Sequence, residues 1–289
     1  MFLIIGAVIV IGSVIGGYVI HGGHVGVLNQ PTEFLIIGGA AIGSMLIGTP
    51  LPVIKALIGQ IMAQLGSGLS KNDYKDLLTM LYQVFKLGQQ SGVMALESHF
   101  ESPGNSPIMS KYPTFLKNHH AVVFLADSIK VIMSGGLGPH DLEALMDADL
   151  EVQHHELGAP ASTLTKVADA LPGLGIVAAV LGVVTTMESI DGPPAEIGHK
   201  VGAALVGTFL GILLSYGFAQ PLAAALEQRV NDDGNYEKCI RAGVLAMYKG
   251  FPPMVAVEFA RRVLPNEVRP SFEETEQLVK GARPEAAAA

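Results

Sequence analysis

The sequence predicts an all-α, polytopic membrane protein with four transmembrane helices and a helical cytoplasmic domain. Three observations predict it. Four stretches carry no Asp, Glu, Lys or Arg: 1–32, 34–54, 170–187 and 201–226. Charged residues make up 15% of the chain, against roughly 25% in an ordinary soluble domain, and mean hydropathy is +0.43. No alternating, strand-like pattern of useful length occurs.

Each element follows in order. A helix needs roughly 20 apolar residues to cross the hydrocarbon core, and the first run, Met1 to Thr32, exceeds that. It lacks a basic leading region, and its apolar stretch is longer than that of a signal peptide, so it reads as a retained helix. Phe34 to Ile54 is the second span. Ala170 to Met187 is the third and shortest, and Val201 to Leu226 the fourth. Buried helices of soluble proteins seldom stay uncharged all round for such lengths. The implied organisation is 1–54, a first helix pair; 55–169, a cytoplasmic helical domain; 170–226, a second helix pair; and 227–289, cytoplasmic helices and tail.

The middle portion has ordinary soluble composition. Tyr74, Leu77, Leu78, Leu81, Val84 and Phe85 recur at helical spacing, and Ser70 with Asp73 forms a capping box ahead of them. A helical pattern resumes over 93–100, Ser102-Pro103-Gly104-Asn105 is a turn, and 121–133 is a further helix closed by Gly135-Gly136. Pro139 suits a first helical position, with Asp141 and Glu143 at the positive end of the dipole, and that helix is expected to run to about Leu157. After Pro221 the expected elements are a helix through Arg229, a second over 235–249 and a short charged helix over 271–279.

Orientation follows from the basic residues. Neither 21–33 nor 190–199 contains Lys or Arg, whereas 17 of the 18 basic residues lie within 50–171 or after Tyr216. The positive-inside rule then puts both termini and the middle domain in the cytoplasm. With a net charge of −8, no basic surface for nucleic acid is implied. The single Cys239 excludes an internal disulfide and a cysteine-based zinc site.

Small residues recur four apart at Gly12/Gly16, Gly39/Gly43, Ala178/Gly182 and Gly207/Gly211. Such faces let helices approach closely, either within the chain or against other subunits. Pro172 and Pro221 either bound their helices or act as hinges by freeing a carbonyl. No ionisable residue lies centrally in any span. A protein driven by ions usually places one there, so either the chain is not ion-coupled or a partner supplies the acid. The adjacent pairs His119-His120 and His154-His155 have poor chelating geometry. The acidic run Asp147, Asp149, Glu151 reads as a solvated helix face. No HExxH, GxSxG, Walker or GxGxxG pattern occurs, and nothing suggests an enzyme.

Several stretches resemble the flagellar stator A subunit family (MotA/PomA): LPGLGIVAAVLGVV at 171–184, VGTFLGILLSYGF at 206–218 followed by Pro221-Leu222-Ala223, VEFARR at 257–262, Arg269-Pro270-Ser271-Phe272, and Gly16-Gly17-Tyr18 through Gln30-Pro31. The resemblance spans nearly the whole chain. It implies five A subunits around two MotB-like B subunits that carry the ion-binding aspartate, in the bacterial inner membrane. Protons would be the coupling ion, with no bound cofactor, and torque would act on the rotor protein FliG. Pro172 and Pro221 match the family's functional prolines, and Thr208 and Tyr216 match positions facing the B helices. Ala179 stands where sodium-driven members commonly have threonine. A methyl group offers no oxygen ligand to a hard cation, so proton coupling is expected. Glu97 matches the rotor-facing acid. The usual rotor-facing arginine aligns with uncharged Gln89, and Lys86, one turn away, is the candidate substitute. The competing readings are an ExbB/TolQ-like force generator and a scaffold or transporter without torque.

Overall fold

The computed structural model describes residues 2–66, 68–188 and 190–281, and every regular element among them is helical. In chain order the α-helices are α1 (Phe2–Ile20), α2 (Val25–Leu28), α3 (Pro31–Gly48), α4 (Leu51–Gln64), α5 (Lys71–Ser91), α6 (Glu97–Glu101), α7 (Pro113–Lys117), α8 (His119–Ser134), α9 (Pro139–Met187), α10 (Pro194–Leu214), α11 (Gln220–Tyr248), α12 (Pro253–Arg262) and α13 (Phe272–Gly281). A π-helical turn, Ser215–Ala219, joins α10 to α11. Among the described residues, four helical stretches are long and apolar enough to cross a membrane: Leu3–Ile20, Val25–Gly48, and segments within Pro139–Met187 and Pro194–Tyr248. Chain contacts divide the molecule into two units, 1–67 with 156–229 and 68–155 with 230–289.

The first unit is the membrane unit. Its helices expose Ile4, Val8, Leu35, Ile47, Val180 and Leu205, as expected of surfaces that meet lipid rather than water. Its core is small: Ile37 and Ala41 of α3 pack with Leu171 and Ala178 of α9 and with Val206 and Leu210 of α10. The α1–α2 turn depends on glycine. Gly22 has φ +83°, and a Cβ on Gly23 would fall 2.4 Å from Cζ of Tyr18. The second span ends earlier than its uncharged run suggests. Thr49 is extended (φ −134°, ψ 128°) because it precedes Pro50, which disfavours helical geometry one residue upstream. The chain restarts as α4, a helix absent from the sequence reading. Its buried Ile54 and Leu57 hold it in place, as do two polar ties. Gln60 Nε2–H donates to the Leu157 carbonyl (2.8 Å), and Arg229 Nη1–H donates to that of Ala63 (2.8 Å).

The second unit has the larger core. Tyr74, Leu77, Leu81 and Phe85 of α5 meet Phe124 and Ile129 of α8, Leu142 and Met146 of α9, Ile240 and Val244 of α11, and Val257 of α12. The expected apolar face of α5 is buried throughout. Its cap forms as read: Ser70 N–H donates to Asp73 Oδ2 (2.7 Å), and Asp73 N–H donates to Ser70 Oγ (3.4 Å). Tyr74 and Tyr236 pack with ring centroids 5.6 Å apart, and the Tyr74 hydroxyl donates to the Asp232 carbonyl (3.2 Å). Arg261 ties down the tail. It donates twice to Glu258 (2.7 Å each) and once to the Pro270 carbonyl (3.0 Å).

Three expected boundaries differ. The helix starting at Pro139 does not stop near Leu157 but continues through Pro160 and Pro172 to Met187. Change of composition along a chain does not break a helix, and each proline removes only one ladder bond. The two helices expected after Pro221 are one, because Val230, Tyr236, Ile240 and Val244 sustain a buried face across the polar Asn231–Gly234 segment. The helix expected over 93–100 is a 3-10 turn, Val93–Leu96, followed by the short α6.

Candidate functional site

The candidate ion-path residues lie on α9, α10, the π turn and the first turn of α11. The α9–α10 seam is built from small residues. A Cβ on Gly175 would lie 2.8 Å from the Gly207 carbonyl oxygen, and one on Gly182 would lie 2.6 Å from Ala204 Cβ. A Cβ on Gly211 would meet the Leu171 carbonyl at 2.6 Å and Gly175 Cα at 2.8 Å. Ala178/Gly182 and Gly207/Gly211 therefore pack within the chain. Around Gly12, Gly16, Gly39 and Gly43 an added Cβ would meet nothing within 4 Å, so those faces are open in the single chain.

Pro172 sits inside α9 and is half-buried. Its missing N–H leaves the Ala168 carbonyl without its helical donor. Ala179 and Thr208 lie on either side of this seam, both half-buried, and the backbone N of Ala179 is 3.2 Å from a Cβ placed on Gly207. Pro221 follows the π turn by two residues. The wider turn relieves the clash that its ring would otherwise make one turn back. Tyr216, on that turn, is 60% exposed. Pro221 and Tyr216 line an apolar cleft of about 390 Å³ with Leu3, Ala7, Val10 and Phe218. The neighbouring Ser215 is fully buried, and its hydroxyl has no hydrogen-bond partner among the described residues.

One residue of this unit escaped the sequence reading. Glu33 marks only the edge of an uncharged run in the sequence, yet in the structure it is 6% exposed. Its Oε2 has no partner among the described residues and points at Gly207, where an added Cβ would lie only 2.4 Å away. The central parts of the spans stay free of acids, as expected, but this acid at the start of α3 is enclosed rather than exposed. Proximity to the span's end hid Glu33 because α3 starts at Pro31, leaving the acid in its first turn, where α10 covers it. The one available signal was its place three residues inside a helix opened by proline.

The second unit carries the other candidates. Gln89 and Glu97 are exposed and Lys86 is half-buried. Gly88 approaches Leu96 so closely that a Cβ there would lie 3.3 Å from Leu96 Cδ1, which sets the segments bearing Gln89 and Glu97 side by side. Within α6, His99 Nδ1 lies 2.7 Å from Ser106 Oγ, and that oxygen also accepts the N–H groups of Ile108 (3.3 Å) and Met109 (3.1 Å). Burial holds the His99 imidazole below its ordinary range. The acidic run on α9 is not purely solvated: Arg241 donates to Asp147 (2.6 Å) and Glu143 (3.1 Å). The histidine pairs are not joined by further ligands, and no cluster of three or more metal-ligating side chains occurs among the described residues.

Comparison with known proteins gives a consistent result. Residues 4–92 match the family model described as Motility protein A N-terminal, and residues 117–236 match the MotA/TolQ/ExbB proton channel family. Motility protein A of Salmonella typhimurium is 42% identical over 284 residues, covering 98% of this chain and 96% of that one. The structure of C. jejuni MotAB superimposes with a TM-score of 0.75 at 19% identity, covering 92% of this chain and 96% of that one. The flagellar MotAB stator complex from Bacillus subtilis gives 0.69 at 24% identity, covering 88% and 92%.

Proposed function

Because this chain belongs to the motility protein A family, we infer how its residues serve a stator subunit of the bacterial flagellar motor, which couples proton flow to torque together with a MotB-like partner. The observation that carries the reading is kinship over nearly the full length, including the N-terminal region specific to motility protein A. That region favours the flagellar reading over an ExbB/TolQ-like force generator or a passive scaffold.

The partner contributes the ion-binding aspartate, and five copies of this chain surround two of it in the inner membrane, with both termini cytoplasmic. The open glycine faces of α1 and α3 support contacts with neighbouring subunits or lipid. The half-buried positions of Ala179 and Thr208 and the exposure of Tyr216 support a path between α9, α10 and the partner helices. Ala179 supports protons over sodium. Pro172 and Pro221 act as hinges. Each leaves the helical ladder one bond short, so bending there costs less than elsewhere, and a helix unbroken from Pro139 to Met187 transmits a change of bend along its length. Glu97, with Lys86 in place of the arginine lost at Gln89, forms the charged face offered to FliG. Each elementary charge crossing the membrane supplies roughly 2.3 kcal/mol per 100 mV, so torque accumulates over many ion steps.

A deletion strain tests this. Flagella of normal length that do not turn, regaining rotation when the gene is returned, are expected; unimpaired swimming would refute the reading. Motor speed should be indifferent to sodium at fixed pH. Speed that tracks sodium would overturn the assignment of Ala179.

A further inference from the structure

We propose that Glu33 is a proton relay on this chain, taking protons from the outer water and handing them to the acid that the partner supplies. The proposal rests on the stator reading above and adds a titrating group to this subunit's own side of the path.

Three observations converge on it. Glu33 is buried between α3 and α10, and among the described acids of the membrane unit it is the one that is buried. Its Oε2 has no hydrogen-bond partner among the described residues. A carboxyl oxygen buried without a partner is expensive to keep, and an ionisable side chain inside a membrane protein points to a functional site. The third observation is its surroundings. The carboxyl oxygen and the Ala179 backbone N both border the Gly207 Cα: a Cβ there would lie 2.4 Å from the first and 3.2 Å from the second. Glycine at 207 leaves the space that the carboxyl occupies. The group thus stands across one glycine from the position that the family resemblance assigns to ion choice. It also lies in the first turn of α3, the end that the basic-residue distribution puts outside.

The step balances simply. A proton from outer water forms an O–H bond on the Glu33 carboxylate. That bond breaks as the proton passes to the partner's carboxylate, which regenerates the Glu33 anion. No electrons change hands. Hydration of the space between the two carboxyl groups completes the chain of transfer.

The test uses the full chain with its B-type partner in cells, recording the speed of single motors while external pH is stepped at constant proton-motive force. Glu33→Gln, which keeps shape but cannot titrate, is expected to slow the motor several-fold at neutral external pH. The deficit should shrink as the outside is acidified, because abundant protons then reach the partner's acid without a relay. Glu33→Asp should preserve the wild-type pH profile. Equal amounts of assembled complex, measured by co-purification, show that packing is intact. Unchanged speed in Glu33→Gln, or a deficit identical at every external pH, would overturn the relay. A wild-type complex that cannot turn the rotor would overturn the stator reading and the relay with it.

Discussion

Gly211 shows how much a single position decides. The space a side chain would need is filled by backbone, with the Leu171 carbonyl at 2.6 Å and Gly175 Cα at 2.8 Å from an added Cβ. Backbone cannot rotate out of the way as a long side chain can, so Gly211→Val should destabilise the membrane unit by about 2 kcal/mol or more, the usual magnitude for overpacking. Gly12→Val, with nothing within 4 Å of its Cβ, should leave the isolated chain nearly unaffected. Thermal unfolding in detergent compares the two, and equal effects would show that the α9–α10 seam is not held this closely. Glu33 is the complementary case, since its meaning lies in what surrounds it. In sequence it is one acid between two apolar runs, whereas folded it is a buried side chain whose Oε2 has no hydrogen-bond partner among the described residues.

Among the elements, α6 and the segment after it tie a titrating group, His99, to Ser106 beside the surface proposed to face the rotor. Ser106 is 2% exposed, and its oxygen already accepts two backbone N–H groups, so its own proton is directed at a bare His99 Nδ1. That arrangement requires neutral imidazole, in keeping with the downward pull of burial on its titration. A base whose folded value lies below its unfolded one binds protons more readily when unfolded, so stability rises with pH. The contribution is therefore complete above the ordinary histidine range near 6.5 and is lost as pH falls from there towards the lower folded value. Denaturant midpoints of the full chain should decline across that window, and His99→Gln should flatten the decline. A slope unchanged by the substitution would remove His99 from this role. The Pro221 region shows the same principle without titration. The π turn and the proline form one device, because the wider turn accommodates a residue that cannot complete an α-helical ladder.

At the scale of the whole molecule, the membrane unit supplies helices, two prolines that interrupt the helical ladder and a buried acid, while its glycine faces at Gly12, Gly16, Gly39 and Gly43 stay open in the single chain. Purified alone into vesicles it should conduct few protons, and conduction should appear when the B-type partner is co-reconstituted. Strong conduction by the chain alone would mean that the path is complete without a partner. The sequence by itself determined the four spans, because lipid tolerates no long charged stretch and the uncharged runs are visible letter by letter. It likewise determined the cap and buried face of α5, which are local in spacing. Only the tertiary structure decided that α9 and α11 are unbroken, that α4 exists, that one set of glycines meets inside the chain while another stays open, and that Glu33 is enclosed. Those outcomes depend on which surfaces touch across the intervening chain, over 97 residues from Gln60 to Leu157 and over more than 150 from Glu33 to Gly207, and neither local periodicity nor composition records such contacts.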